Sequence, residues 1–270
     1  MLKTTAIIPA YNEVENIALV VGGLLALRDP QGLPTVHEVV VADNNSNDGT
    51  ADIALRSGAR VVHVPQKGYG NACASACRLA TGDVLLFVDG DHTADLAQAA
   101  LLIGAVARGA DLAIGVRTHA VRGSLSLPQR FGNLLACCLV RGIWSAPVTD
   151  LGPFRAIRRS AYERIGMRDR SFGWTIEMQI RAIQLGLGTV EIDVSWFPRH
   201  AGTSKVSGTL KGVVGAGTGI LSMIARLWWR ERFKARQPKE SEFPPAAVVL
   251  PTGQVQLPST TIRRSFLKQE

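Results

Sequence analysis

The chain has 270 residues, 46% of them apolar, and a formal net charge of +8. That is core material for one large α/β domain with appendages. The charge is uneven: residues 1–200 hold 19 Lys and Arg against 18 Asp and Glu, whereas 201–270 hold 11 against 4. The body therefore lacks the basic folded platform that a nucleic-acid partner needs, and none is expected. Cys73, Cys77, Cys137 and Cys138 have neither zinc-ribbon nor disulfide-framework spacing, and all four read as small buried apolar residues. The opening TTAIIPAY reads as a buried strand, not a secretory leader, so a cytoplasmic protein is expected.

Strands are expected at Thr4–Pro9, Glu38–Ala42, Arg60–Val64, Val84–Val88 and Asp111–Val116, with helical patterns between most of them. That rhythm implies βαβ units and a Rossmann-like α/β class, a mostly parallel sheet with helices on both faces. In such sheets ligands sit beyond the carboxyl ends of the strands. Polar loops fall at those ends: PAYNE after the first run, DNNSNDGT after the second, PQKGYG after the third and DGD after the fourth.

The fourth run, Val84-Leu85-Leu86-Phe87-Val88, is apolar enough to be buried on both faces, yet it ends in Asp89 and Asp91 around Gly90. Unpaired buried charge is costly. Two carboxylates beside a glycine that lets the backbone turn suit a hard divalent cation with positions left for phosphate oxygens. A solvated turn or helix cap is the alternative. Asp43 stands at the rim of the second strand, where a carboxylate can accept from a base N–H, while Ser46 and Asp48 read as caps of the next helix. QKGYGNA sets Lys67 and Gly70 at the start of a small-residue helix, where backbone N–H groups favour an anion. A plain turn with a surface lysine is the alternative there.

PAYNE, DNNSNDGT, KGYGNA and FVDGDHTAD, in this order, resemble the family 2 glycosyltransferases of the GT-A fold, and among them the dolichyl- or polyprenyl-phosphate mannose and glucose synthases. The likeness covers about residues 3–210. It implies that Pro9, Ala10, Tyr11, Glu13 and Asp43 hold a UDP- or GDP-hexose, with Lys67 and Gly70 near its base or phosphates. Asp89, Gly90 and Asp91 then form the D-x-D motif for Mg2+ or Mn2+, with Asp89 and Asp91 as metal ligands and Asp91 as the surer of the two. Where many relatives have Asp-Asp-Gly-Ser, this chain has Asp43-Asn44-Asn45-Ser46, so no role passes to Asn44.

From about Leu125 the pattern changes to a helix over PQRFGNLLACCLVRGIW, the segment TDLGPFRAIRR, a helix over WTIEMQIRAIQL and a strand over GTVEIDVSWF. By the same resemblance TDLGPFRAIRR is an acceptor loop, with Asp150 catalytic and Arg155 facing the cleft; Asp150 holding its own loop is the alternative. Glu177 reads either as a general base at the cleft or as the i,i+4 partner of Arg181. FPRHAGTSKVSG resembles a loop that closes over diphosphate, which makes Arg199, His200 and Lys205 phosphate contacts, joined by Arg117.

Three regions follow: a GT-A domain over 1–209, an amphipathic helical segment over 210–236 and a tail over 237–270 without fixed structure. Between Lys211 and Arg226 lie 14 uncharged residues, short of the roughly 20 that span a bilayer. Trp228 and Trp229 beside RERFKAR suggest instead a helix resting on an anionic membrane surface, peripheral on its cytoplasmic face, or one docked on the protein's own core. The expected function is inverting, metal-dependent transfer of a hexose from a nucleotide-sugar to a polyprenyl phosphate. A hydroxyl acceptor is the runner-up; a sugar-1-phosphate nucleotidyltransferase and an inactive nucleotide-binding or membrane-scaffold protein rank below. The sequence leaves the sugar, the nucleobase and the oligomeric state open.

Overall fold

The computed structural model describes residues 2–202, 210–233, 247–249 and 255–256. The first half alternates as its pattern requires: β1 (Thr4–Ala10), α1 (Ile17–Ala26), β2 (Glu38–Asp43), α2 (Thr50–Arg56), β3 (Arg60–His63), α3 (Tyr69–Leu79), β4 (Val84–Phe87) and α4 (Ala99–Ala107). The second half is β5 (Leu112–Ala120), α5 (Leu127–Trp144), β6 (Arg155–Arg158), α6 (Arg159–Ile165), α7 (Trp174–Gln184), β7 (Thr189–Trp196) and α8 (Leu210–Phe233), then β8 (Ala247–Val249) and β9 (Val255–Gln256).

Successive strand residues point to opposite faces, and here both faces are covered. Ala6 and Ile8 of β1 pack in one layer with Val20 and Leu24 of α1 and Leu102 of α4. Ile7 packs in the other with Cys73 of α3 and Trp174 and Met178 of α7. A third apolar cluster joins α5, α7 and α8 through Val140, Ile176, Ile180, Met223, Ile224 and Leu227. Helix α8 is thus docked on the body along one face.

The sheet order is β3-β2-β1-β4-β6-β5-β7-β8-β9. Pairing is parallel except at β6, antiparallel to β4 and β5, and at β9, antiparallel to β8. The chain builds outward from β1 through β2 to β3, then returns to β4 on the other side of β1. That reversal opens a crevice beyond the carboxyl ends of β1 and β4, the place where open α/β sheets bind ligands. It brings PAYNE and DGD side by side.

Several expectations change. TDLGPFRAIRR, read as an acceptor loop, contributes the strand β6, whose two apolar residues Ala156 and Ile157 are flanked by arginines that mask the pattern. Strand β5 runs past Val116 to Ala120, because after a register shift it pairs with Ser195 and Trp196. Cys138 is exposed, unlike the other three cysteines; the neighbouring positions Ala136, Cys137 and Val140 form the buried face of α5. The region 237–270, expected to lack fixed structure, contributes β8 and β9, and its other residues lie outside those described. Among the described residues no helix is long and apolar enough to cross a membrane.

Candidate active site

A cleft of about 540 Å³ opens at the crevice. Of the residues expected from sequence it is lined by Pro9, Tyr11, Glu13, Asp89, Gly90, Asp91, Arg117 and Arg199. Asp89 follows the buried end of β4, where the hydroxyl of Tyr69 donates to its Oδ1 at 3.1 Å. Asp91 lies one turn further, its Oδ1 accepting from the backbone N–H and the hydroxyl of Thr93 at 3.3 and 2.7 Å. Its Oδ2 lies 3.7 Å from Nη2 of Arg199. Gly90 has a negative φ, and a Cβ there would make only ordinary contacts, the nearest at 3.5 Å. The turn is made by His92, at φ 57°, rather than by the glycine.

Burial first, then repulsion from Asp91 and Glu13, pushes Asp89 up to about 7 against the opposing pull of Tyr69 and Arg117. The two carboxylates repel each other, and Arg117 and Arg199 are the cations beside them. Among the described residues no group of three or more His, Cys, Asp or Glu forms a complete protein cage for a metal. Two carboxylate side chains are hard oxygen donors of the kind that suit a dication whose remaining ligands come from phosphate and water.

Cations complete the rim. Arg199 reaches from the loop after β7 to Glu13 in the loop after β1, donating to its carboxylate at 2.7 and 2.5 Å. Arg117 donates Nε and Nη2 to Asp150 at 2.8 and 2.5 Å, and its backbone N–H to the same carboxylate at 2.9 Å. Burial opposes the Arg117 charge, but these bonds outweigh it and raise its pKa. Its Nη1 has no hydrogen-bond partner among the described residues.

The sequence model of glycosyl transferase family 2 matches residues 5–166. The chain belongs to this family. It is 34% identical over 210 residues to an uncharacterized glycosyltransferase of Mycobacterium tuberculosis, covering 78% of this chain and 92% of that one. It is 32% identical over 225 residues to the polyprenol monophosphomannose synthase of Mycolicibacterium smegmatis, covering 77% and 82%. Glucosyl-3-phosphoglycerate synthase of Mycobacterium tuberculosis, solved with Mn2+, UDP and glucosyl-3-phosphoglycerate, shares the GT-A fold at a TM-score of 0.64 and 22% identity, covering 83% and 80%.

The remaining expected residues of this family 2 glycosyltransferase lie outside the cleft lining. Asp43 is 2% exposed, accepting from the Ser46 N–H at 3.3 Å and facing Nδ1 of His63 at 3.2 Å. Ala10 is buried at the end of β1. Lys67 donates to the Tyr11 hydroxyl at 2.8 Å and lies 4.3 Å from its ring centroid, so it touches the rim through that side chain. The expected anion site at the start of α3 is occupied by the protein itself. The N–H groups of Gly70 and Asn71 donate to the carbonyls of Ser171 and Arg170 at 3.2 and 3.0 Å. Gly68 and Gly70 are required for that approach: a Cβ on either would come within 2.2 and 2.5 Å of the carbonyls of Arg170 and Asp169. Likewise Gly49, not Ser46 or Asp48, is the N-cap of α2; Ser46 accepts from the Asn12 N–H at 2.9 Å and Asp48 from Val14 and Thr50.

Three acceptor-side residues lie outside the cleft lining. Glu177 is 1% exposed, and its Oε2 accepts from the backbone N–H groups of Arg168 and Asp169 at 2.9 and 2.7 Å. It pins the loop before α7 and pairs with neither the cleft nor Arg181. Arg155, also 1% exposed, donates to the carbonyls of Gly152, Leu151 and Thr175 and contacts no cleft; burial lowers its pKa to about 10. Asp150 is the loop-holding partner of Arg117. His200 is exposed, its ring 6.1 Å from that of His92, and Lys205 lies outside the described residues.

Sequence reading missed Tyr69, Trp196, Phe172 and Gln129, which all line the cleft. Tyr69 stood inside the quoted KGYGNA, and an aromatic at the carboxyl end of a strand was a signal for Trp196. Nothing local marked the other two, which arrive through packing of α5 and the loop before α7.

Proposed function

We propose that this glycosyltransferase moves a hexose, with inversion, from a UDP- or GDP-sugar to a polyprenyl phosphate, using Mg2+ or Mn2+ held by Asp89 and Asp91. The observation that carries the proposal is the acidic pair at the β1/β4 crevice, which lines one cleft together with Arg117 and Arg199. A bound divalent cation supplies countercharge to the diphosphate as it leaves. Tyr69 and Thr93 hold the two carboxylates in place through hydrogen bonds. Arg199 and Arg117, both in the cleft lining, stabilise the same developing negative charge. Tyr11, steadied by Lys67, offers an aromatic surface at the nucleoside end.

The acceptor assignment draws on two features besides the name of the mycobacterial relative. A groove of about 210 Å³, lined by Pro128, Gly132, Leu151, Ala216 and Ile220, runs between α5 and α8 and shares Arg117 and Gln129 with the cleft. An isoprenoid chain suits its apolar walls while the phosphate meets Arg117. Of the carboxylates lining the cleft among the described residues, Glu13 is bonded to Arg199, and Asp89 and Asp91 are the cation pair. A hydroxyl acceptor needs a positioned base, whereas a phosphate monoester, with a second pKa of about 6, is already a nucleophile at neutral pH.

The test is transfer of radiolabelled hexose from UDP- and GDP-sugars to a short polyprenyl phosphate and to the corresponding polyprenol, with and without Mn2+. Metal-dependent transfer to the phosphate alone supports the proposal. Transfer to the polyprenol alone overturns the acceptor, and undiminished transfer without Mn2+ overturns the metal.

A further inference from the structure

Away from the cleft, a second cavity of about 510 Å³ lies between α7 and α8. Three guanidiniums from separate elements line it: Arg168 from the loop before α7, Arg181 from α7 and Arg230 from α8. None of the three side chains has a hydrogen-bond or ion-pair partner among the described residues. The one acid in the lining, Glu231, is held by neutral donors, accepting from Trp144 Nε1 at 2.5 Å and Gln184 Nε2 at 2.9 Å. Three like charges gathered round one concavity with one carboxylate leave a net positive receptor, and the planar fork of arginine matches phosphate oxygens. Leu185 and Leu227 give it an apolar floor.

We propose that this cavity is a binding site for a phosphate-bearing ligand, and that its source is the headgroup of an anionic lipid. The neighbouring surface supports that source. Trp229 and Phe233, 58% and 63% exposed, stack with ring centroids 4.1 Å apart on the last turns of α8. Trp228, 40% exposed, stands beside them. Exposed aromatic side chains at the end of the helix that carries Arg230 are the composition of a bilayer-interface element. The site rests on neither the donor nor the acceptor assigned above.

Occupancy has a route to the cleft. Arg168 belongs to the loop that Glu177 pins and that carries Phe172 into the cleft lining. A headgroup bound here steadies that loop.

The experiment is vesicle flotation of the full chain with phosphatidylcholine vesicles, with and without phosphatidylglycerol, comparing the wild type with the combined Arg168→Gln, Arg181→Gln, Arg230→Gln variant. The wild type is expected to prefer the anionic vesicles, and the variant to bind them about a hundredfold more weakly, with nucleotide-sugar hydrolysis unchanged. The basic residues beyond Phe233 are intact in the variant. Equal anionic-vesicle binding by both proteins therefore overturns the site. In the second arm, inorganic phosphate is titrated while the Tm is followed. A rise in the wild type but not the variant, without any preference for anionic vesicles, assigns the cavity to a soluble phosphate and overturns the lipid source.

Discussion

Arg199 clasps Glu13 through two hydrogen bonds across 186 residues of sequence, tying the loop after β7 to the loop after β1 over the cleft. Glu13 is 7% exposed and Asp91 lies next to the same guanidinium. Removing the cation leaves an acid in a largely dry place, and breaking one partner of a buried pair costs about 3 kcal/mol. Arg199→Ala is therefore expected to lower Tm and to reduce kcat/KM by about a hundredfold or more. Arg199→Lys, which keeps the charge but loses the fork, should recover part of both. Steady-state kinetics and thermal unfolding of the two variants check this; an Ala variant with wild-type kcat/KM would remove the clasp from the mechanism.

Glu177 should behave as a loop anchor. Glu177→Gln keeps an oxygen acceptor for the Arg168 and Asp169 N–H groups, so activity and its pH profile are expected to change little. Glu177→Ala leaves two buried donors unpaired, at about 1–3 kcal/mol each, and should lower Tm clearly. Loss of turnover in the Gln variant at unchanged Tm would restore the general-base reading.

Asn44 is a latch. Its amide donates to the carbonyls of Val64 and Gln66 at 3.1 and 2.9 Å, and its own oxygen accepts from the Gly68 N–H at 2.8 Å. An aspartate there cannot donate and would face two carbonyls at 8% exposure. Asn44→Asp is expected to lose about 2–3 kcal/mol, read by urea unfolding at neutral pH. A wild-type unfolding midpoint would contradict the latch.

One acid sets a pH dependence of stability. Burial works to raise Glu38, yet hydrogen bonds from Thr5, Thr81 and Arg60 hold it below its ordinary 4.5. A carboxylate depressed on folding adds stability above its unfolded pKa and loses it as pH falls through the folded one. Glu38→Gln is accordingly expected to be less stable than the wild type at pH 7, with the gap closing as the pH drops below 4.5. Paired thermal melts across that range check it; a gap that is constant with pH would assign the difference to packing.

The sequence carried the rim and missed most of the acceptor side, for a physical reason. Strand period and polar loop ends place Pro9, Tyr11, Glu13, Asp89 and Asp91 at one edge, because a parallel sheet sends every carboxyl end the same way. Glu177 and Arg155 were misplaced because helix period shows which residues share a face but not which loop packs on that face. Each answers backbone groups rather than a ligand, Glu177 by accepting N–H groups and Arg155 by donating to carbonyls, and such groups leave no signature in side-chain patterning. Asn44, which looked like a lost acid, holds the loop between β3 and α3. Strand β6 was hidden by its own flanking arginines.

The most direct measurement is calorimetric titration of UDP and GDP into the wild type and Asp91→Ala, each with and without Mn2+. The expected result is nucleotide binding by the wild type that strengthens at least about a hundredfold with Mn2+, and no metal enhancement in the variant at an unchanged Tm. Equal metal enhancement in both proteins would contradict the role given to the acidic pair at the end of β4.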